Sequence, residues 1–293
     1  MPKLEVLAYR ESPDLKRVFA SALLHVRRSG ETLPQVRAEQ LGALVDPTRV
    51  ADYAHLCGFT LGAHPPVTYP HLLGFPLQAA VIAHHGFPLP LVGLVHVRNT
   101  ITWTRPFAYG ERIDVRVRAE ALRPHRRGRL VDLVTEITSS GVGGPPVWTG
   151  VSTYLARGAG SGDVETDSPP DVAGLQDPGG RTFRFAEGDG RRYAAVSGDV
   201  NPIHLHALTA KLLGFDRAIA HGMFSYARVL GALDTRVPSA GTSTVWFRKP
   251  VTLPSTALLR VSGAEDGSML AALFPTRGAG EHLVTTVAPT TSD

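Results

Sequence analysis

The sequence of 293 residues contains a single cysteine, Cys57, so it cannot form an internal disulfide. That scarcity is typical of a protein that folds in a reducing compartment, and we expect a cytoplasmic location. No apolar run approaches the roughly 20 residues that a membrane-spanning helix needs. Charged residues also interrupt residues 1–17, where a signal peptide would need a continuous apolar core. These absences argue against a secreted or membrane-spanning protein.

Lysine is scarce as well, because only four of the 30 Lys and Arg residues are lysines. The formal net charge is +4 and the pI is about 9.4. The densest basic cluster, at 123–129, is typical of a hairpin turn, and aromatic residues are not interleaved with it. We therefore predict no nucleic-acid binding, although a mild positive balance suits a substrate that carries phosphates.

Several site motifs are absent from the sequence. No Cys and His spacing fits a zinc site. No Gly-x-Ser-x-Gly nucleophile elbow and no phosphate-binding loop occur either. We accordingly predict that the chain holds no metal.

One stretch, which opens Ser-Gly-Asp-Val-Asn-Pro-Ile-His at 197–204, concentrates the chain's polar chemistry. It places a carboxylate, an amide and an imidazole within eight residues, at Asp199, Asn201 and His204. Asp, Asn, Gly and Pro also make tight turns, so Gly-Asp-x-Asn-Pro taken alone is equally typical of a surface turn. The histidine that follows the turn favours a functional site.

A buried helix is predicted about twenty residues further on. Residues 222–233 are apolar on nearly every side, and a helix without a polar face belongs in the interior of a domain. Gly222 would open this helix directly after His221, which we expect to be structural while lying close enough to tune the site. The stretch therefore joins a polar turn to the start of a buried helix.

The motif at 197–204, followed by Leu-Leu-Gly-Phe at 212–215 and Ala-His-Gly-Met-Phe at 220–224, resembles the MaoC-like (R)-specific enoyl-CoA hydratases, also called 3-hydroxyacyl-thioester dehydratases. No residue of 197–204 departs from the pattern of that family. The resemblance implies an α+β double hotdog fold, in which each of two antiparallel sheets wraps a central helix. It also implies a hydro-lyase of fatty-acid metabolism that needs no cofactor beyond the carrier of the acyl group, coenzyme A or acyl-carrier protein.

The resemblance implies catalytic roles for four residues. Asp199 and His204 would serve as acid and base on one face of the substrate, which gives syn addition and the (R) product. Which of the two handles the α-proton stays open. Asn201 would orient water and the catalytic pair, and the Gly222 N–H would stabilise the thioester oxygen at the helix start.

A second group of residues is predicted to bind the substrate. Two belong to the signature, two are apolar residues of the N-terminal half that could line an acyl pocket, and two are cations that could meet the phosphates of coenzyme A. They are Ser197, Gly198, Phe59, Leu61, Arg248 and Lys249.

The sequence also shows an internal repeat at a shift of 140 residues, which is the signature of a duplication. Leu-Leu-Gly-Phe at 72–75 recurs at 212–215, and the same shift pairs Tyr53 with Tyr193. In this alignment the first copy lacks the chemistry of the second. The facing pairs are Phe59 with Asp199, Leu61 with Asn201, Gly62 with Pro202 and Ile82 with Gly222. His64 keeps an imidazole opposite His204, but we expect it to be structural and the N-terminal half to be non-catalytic.

These patterns predict three segments. Residues 1–156 would form a non-catalytic hotdog repeat with a helical N-terminal extension, in which a helix over 13–28 is capped by Ser12. Residues 157–181, rich in Gly, Pro, Ser and Asp, would be a linker, and 182–293 the catalytic repeat. Two repeats in one chain already form a pseudo-dimer, so the sequence is compatible with a homodimer but does not require one.

Two other functions remain open at this point. Hotdog folds also host acyl-thioesterases, which would release a free thiol. A non-catalytic subunit that binds acyl thioesters for a partner is the other alternative. The intact Asp-x-Asn-Pro-x-His pattern at 199–204 argues against both.

Overall fold

The computed structural model describes residues 4–23, 30–91, 93–158, 168–175, 180–212 and 214–290. The first half contains, in chain order, β1 (Glu5–Tyr9), α1 (Leu15–Leu23), β2 (Val36–Leu44), α2 (Pro47–Cys57), α3 (Pro70–Ala83), β3 (Leu94–Trp103), β4 (Arg112–His125), β5 (Gly128–Ser139) and β6 (Trp148–Arg157). The second half contains β7 (Arg181–Phe185), α4 (Asp189–Ser197), α5 (Pro202–Leu205), α6 (Ala207–Leu212), α7 (Gly222–Leu233), a 3₁₀ turn (Asp234–Arg236), β8 (Gly241–Phe247), β9 (Ser255–Gly263), β10 (Met269–Pro275) and β11 (Leu283–Pro289). No helix among these residues is long and apolar enough to cross a membrane.

The chain folds as two compact units, Met1–Asp46 with Val67–Asp167 and Pro47–Pro66 with Ser168–Asp293. In the first unit the strand order is β1-β2-β4-β5-β6-β3, with β1 parallel to β2 and the other pairs antiparallel. The buried helix α3 packs against β2, β4 and β5. The β4–β5 hairpin turns between His125 and Gly128, which confirms the turn predicted for the basic cluster.

The second unit wraps an antiparallel sheet, ordered β8-β11-β10-β9-β7, around α7. At one end of the sheet the Tyr226 hydroxyl donates to Ser243 Oγ of β8 at 2.6 Å. At the other end Phe224 meets Phe185 of β7 edge to face. The predicted helix 222–233 is therefore confirmed, and both units show the sheet-and-helix arrangement of the predicted double hotdog fold.

Helix α2, from the first half of the chain, packs against α4 and α7 of the second unit. A glycine permits the close approach to α7, because a Cβ at Gly231 would lie 2.8 Å from the carbonyl oxygen of Cys57. The predicted boundary between the halves stays a prediction, since 159–167 and 176–179 lie outside the described residues. Within the predicted linker, however, Val172 and Leu175 are buried in one apolar cluster with Ala272 and Val284.

The start of α1 differs from its prediction. The helix begins at Leu15, because the Asp14 carboxylate accepts the N–H of Lys16 at 2.9 Å and so caps the first turn. Ser12, the predicted cap, donates instead to the Gln40 side chain. The predicted end of this helix, at 24–28, lies outside the described residues. The short strand β1 was not predicted.

The alignment of the two sequence repeats at a shift of 140 residues agrees with the structure as far as the ends of α2 and α4, and disagrees after them. Both helices end at a glycine with positive φ, Gly58 at 81° and Gly198 at 77°. Beyond that point 72–75 lies inside the central helix α3, whereas the second copy of the motif starts at the last residue of α6. The second copy inserts α5 and α6 before its central helix, so the alignment of Ile82 with Gly222 was wrong.

Candidate active site

The turn after α4 is held by its own polar side chains. The Asp199 N–H donates to Ser197 Oγ at 3.1 Å, and the Asp199 carboxylate accepts the Asn201 N–H at 3.1 Å. The Asn201 side chain then accepts the N–H of Ile203 at 3.4 Å and so caps α5. Gly198 takes the left-handed conformation, with φ 77°, that ends α4 and starts the turn. Sequence and local hydrogen bonding together fix where the carboxylate stands.

Helix α5 lies directly on α4 because α4 has a glycine at the contact. A Cβ at Gly190 would lie 1.9 Å from the carbonyl oxygen of His204, a distance that no side chain permits. The absence of that atom lets the backbone of His204 settle against α4. The imidazole is thereby placed by packing as well as by the turn.

The His204 ring is buried and held in one tautomer. Its Nδ1 donates to the carbonyl oxygen of Ile219 at 2.8 Å, because a carbonyl can only accept. The lone pair therefore resides on Nε2. Burial lowers the pKa of His204 below its usual 6.5, although the neighbouring Asp199 opposes that shift. A neutral imidazole whose Nε2 carries the lone pair has the form that a general base needs.

Asp199, His204 and His221 bring one oxygen or nitrogen each to within 4.8 Å of one another. The Asp199 side chain keeps 20% of its surface exposed, whereas the two rings are buried. Burial raises the pKa of Asp199 above its usual 3.8, and the nearby His204 and the Asn201 N–H oppose that shift. The pKa values of the carboxyl and the imidazole are therefore closer together than those of the free groups. Similar pKa values suit a pair that exchanges a proton.

His221 supports this pair from the start of α7. Its Nε2 donates to the carbonyl oxygen of Asp199 at 3.0 Å, and its ring stacks on His204 with centroids 3.7 Å apart. The Tyr193 ring packs on its side at 4.8 Å. Burial places the pKa of His221 well below 6.5, so the ring stays neutral. The sequence predicted that His221 lies at a helix start near the site. It could not predict that His221 contacts both Asp199 and His204.

Gly222 opens α7 as predicted, and no side chain caps that helix. The N–H groups of a first helical turn have no acceptor within the helix, and the helix dipole adds positive potential there. A Cβ at Gly222 would lie 3.0 to 3.3 Å from the Phe247 ring. A larger residue at this position would therefore crowd the Phe247 ring, and the N–H of Gly222 is a candidate donor to a ligand oxygen.

The remaining predicted site residues are not brought together with Asp199 and His204 by the contacts of the described residues. Phe59 is 8% exposed and stacks on Tyr53, whereas Leu61 is 62% exposed. Arg248 and Lys249 are exposed, and the Lys249 ammonium donates to the Ala279 carbonyl. Their roles in substrate binding stay predictions.

The trio at 199, 204 and 221 also has the composition of a metal site. His221, however, donates its Nε2–H to the carbonyl oxygen of Asp199, so the ring nitrogen that lies 3.8 Å from the Asp199 carboxylate carries a hydrogen and has no lone pair for a metal ion. The arrangement suits proton transfer better than metal ligation.

Comparison with known proteins supports the family resemblance that the motif at 197–204 indicated. The model of the MaoC like domain matches residues 174–269. The 3-hydroxyacyl-thioester dehydratase X of Mycobacterium tuberculosis is 42% identical over 256 residues, which cover 87% of this chain and 89% of the relative. The crystal structure of HtdX from the same organism superposes with a TM-score of 0.73 at 39% identity, over 86% of this chain and 98% of that one. The (R)-specific enoyl-CoA hydratase of Aeromonas caviae is 30% identical over 96 residues, 31% of this chain and 72% of the relative. The chain therefore belongs to the MaoC-like family of hydratases and dehydratases, as the signature at 197–204 predicted.

Proposed function

We propose that the chain catalyses the reversible syn hydration of trans-2-enoyl thioesters to (R)-3-hydroxyacyl thioesters in fatty-acid metabolism. The observation that carries this proposal is the neutral His204 imidazole, with a free Nε2, beside the Asp199 carboxyl and close in sequence to an uncapped helix start. Two relatives whose names state such reactions support it.

Asp199 and His204 together move one proton. In the hydration direction the pair takes a proton from water as the water oxygen bonds to C3 of the enoyl group. It returns a proton to C2 on the same face, so one water is consumed and the pair is restored. We assign the first step to Nε2 of His204, because that nitrogen carries the lone pair. Asn201 lies between Asp199 and His204 in the sequence, and its side chain is held by the hydrogen bond that caps α5. From there it orients the catalytic pair.

The Gly222 N–H stabilises the charge that builds on the thioester oxygen. As the bond to C3 forms, the thioester becomes enolate-like and its oxygen gains negative charge. A backbone donor at the start of α7 is already oriented toward that charge and pays no reorganisation when it develops. Removal of one such donor typically slows an enzyme by about 10²–10³-fold.

The substrate carrier and surroundings are part of the same proposal. The acyl group is carried by coenzyme A or acyl-carrier protein, with Arg248 and Lys249 as contacts for phosphates, and Ser197 and Gly198 beside the thioester. Phe59 and Leu61 line the path of the acyl chain. The chemistry described needs no metal and no further cofactor. We place the protein in the cytoplasm, as a monomer or homodimer.

The direct test offers crotonyl-CoA and longer trans-2-enoyl-CoA esters to the pure protein and analyses the chirality of the product. The proposal predicts (R)-3-hydroxyacyl-CoA without release of free thiol. Formation of the (S) product would contradict the assigned geometry. Thiol release without hydration would assign the chain to the hotdog thioesterases instead.

A further inference from the structure

A cavity of the second unit lies beside the middle of α7. Its volume is about 650 Å³, within the range of roughly 300–1,000 Å³ that small-molecule sites occupy. Its walls come from α2, the stretch from β7 into α4, α7 and the start of β9. The lining residues are Leu56, Thr182, Arg184, Phe185, Ala186, Asp189, Arg192, Phe224, Arg228, Pro254, Ser255 and Thr256. None of them belongs to the signature at 197–204.

The cavity is built around the half-buried guanidinium of Arg228. That group lies over three aromatic rings, 4.6 Å from the centroid of Phe185, 4.9 Å from Phe183 and 5.7 Å from Phe224. One of its N–H groups donates to the carbonyl oxygen of Arg184 at 2.7 Å. Guanidinium offers five N–H donors, so several remain for a ligand.

The charge around the cavity is unbalanced. Three arginines line it against one carboxylate, Asp189. That carboxylate is already occupied, because it accepts the Ala186 N–H at 2.9 Å and one N–H of Arg192 at 3.0 Å. Among the described residues no carboxylate lies within ion-pair distance of Arg228, and burial lowers the pKa of Arg228 because its charge is poorly solvated there. An anion in the cavity would supply the missing countercharge.

An independent observation points to a ligand at the same place. Ser255 lines the cavity, and its Oγ is buried without a hydrogen-bond partner among the described residues. A buried hydroxyl without a partner is unfavourable, because it has lost its hydrogen bonds to water and gained none in return. A bound anion that accepts from Ser255 and Arg228 would remove that cost.

We propose that this cavity is a binding site for an amphiphilic organic anion. Its carboxylate or phosphate group is held by Arg228, with Ser255 as second donor and Arg184 and Arg192 at the rim. Its apolar part packs on Leu56, Phe224 and Pro254. Because Phe224 packs on Tyr193 at 5.2 Å and Tyr193 packs on His221, the site also adjoins the support of the candidate active site.

The test measures equilibrium binding by calorimetry, without turnover, so its outcome is independent of the proposed hydration. Octanoate and octyl phosphate are the probes, and octan-1-ol is the uncharged control with the same tail. We expect saturable binding of at least one anion and at least tenfold weaker binding of octan-1-ol. Preference for octanoate would identify a carboxylate ligand, and preference for octyl phosphate a phosphate-bearing one.

Variants locate the binding. Arg228→Gln should weaken binding of the anion at least tenfold, and Thr256→Glu should do so by placing a carboxylate at the cavity while keeping Arg228. Arg277→Gln removes an exposed arginine that does not line the cavity and should bind as the wild type does. If Arg228→Gln fails to fold, Thr256→Glu carries the test. Equal binding of octan-1-ol, or wild-type binding by the folded cavity variants, would overturn the proposal.

Discussion

At the scale of single residues, the site depends on which nitrogen of His204 carries the proton. The Ile219 carbonyl fixes that choice through a 2.8 Å bond to Nδ1, so no other side chain is needed to orient the base. Asp199 has two roles in the proposed mechanism, because its side chain would join the proton transfer while its carbonyl oxygen accepts from His221. His204, His221 and Asp199 therefore form one connected group of side chains.

The pH dependence of catalysis follows from the direction of these pKa shifts. Burial lowers the pKa of His204 below 6.5, so its neutral form persists to a lower pH than that of an exposed histidine. We expect kcat/KM for crotonyl-CoA to be constant around neutral pH and to fall on acidification with a midpoint below 6.5. A midpoint at or above 6.5 would contradict the assignment of a neutral, buried His204 as the base.

We propose that His221 is a positioning residue, a role that can be separated from simple packing. His221→Phe keeps a flat ring against His204 but loses the hydrogen bond to the Asp199 carbonyl. One hydrogen bond contributes about 1 kcal/mol, so we expect kcat to fall about fivefold with little change in KM. His221→Gln, which can restore the donor, should recover part of that loss. Wild-type kcat in His221→Phe would show that the ring only fills space.

At the scale of elements, the contact between α4 and α5 should tolerate no side chain. Gly190→Ala would drive a Cβ into the His204 carbonyl, at 1.9 Å in the present packing, so α5 must move. We expect a loss of about 3 kcal/mol of unfolding free energy, as for other overpacked contacts, together with loss of hydratase activity. Urea unfolding and the crotonyl-CoA assay measure the two effects.

Gly188→Ala is the matched control for that prediction. Gly188 lies two residues earlier, has φ −79°, and a Cβ there would meet only the end of the Arg191 side chain at 3.8 Å. It should keep the stability and activity of the wild type. If both variants behave alike, the close approach of α4 and α5 does not position His204.

The elements also show what the sequence could and could not predict. Helix 222–233 and the turn at 197–204 were predictable, because an apolar run and a dense set of turn residues are local signals. The contact of the Tyr193 ring with His221 and the stacking of His221 on His204 were not, since both depend on how α4, α5 and α7 pack. The motif Leu-Leu-Gly-Phe misled the alignment because a short apolar run fits a helix interior and a helix end equally well.

At the scale of the whole molecule, buried histidines occur in both units and should make the fold sensitive to acid. In the first unit burial lowers the pKa of His71 to about 4 and that of His96 to about 3. In the second unit burial lowers the pKa values of His204 and His221 in the same direction. Because these pKa values lie below that of an unfolded histidine, the unfolded state binds more protons below pH 6.5.

Stability should therefore be full above pH 6.5 and fall as the pH drops toward the folded pKa values. Each such histidine contributes a slope of at most about 1.4 kcal/mol per pH unit. The double variant His71→Gln/His96→Gln should lose less stability between pH 7 and pH 5 than the wild type, measured by urea unfolding. Substitution of the exposed His55 by Gln should leave that dependence unchanged. Equal acid sensitivity of the double variant and the wild type would contradict this explanation.

The measurement that tests the central claim most directly follows the absorbance of the conjugated enoyl thioester while crotonyl-CoA is offered to four proteins. These are the wild type, Asp199→Asn, His204→Gln and, as an exposed histidine just past the site, His206→Gln. The account predicts that the band disappears with the wild type and with His206→Gln. Each catalytic variant should be slower by about 10²–10⁴-fold while remaining folded, as expected for loss of a general acid or base. Hydration by either catalytic variant at nearly the wild-type rate would contradict the account.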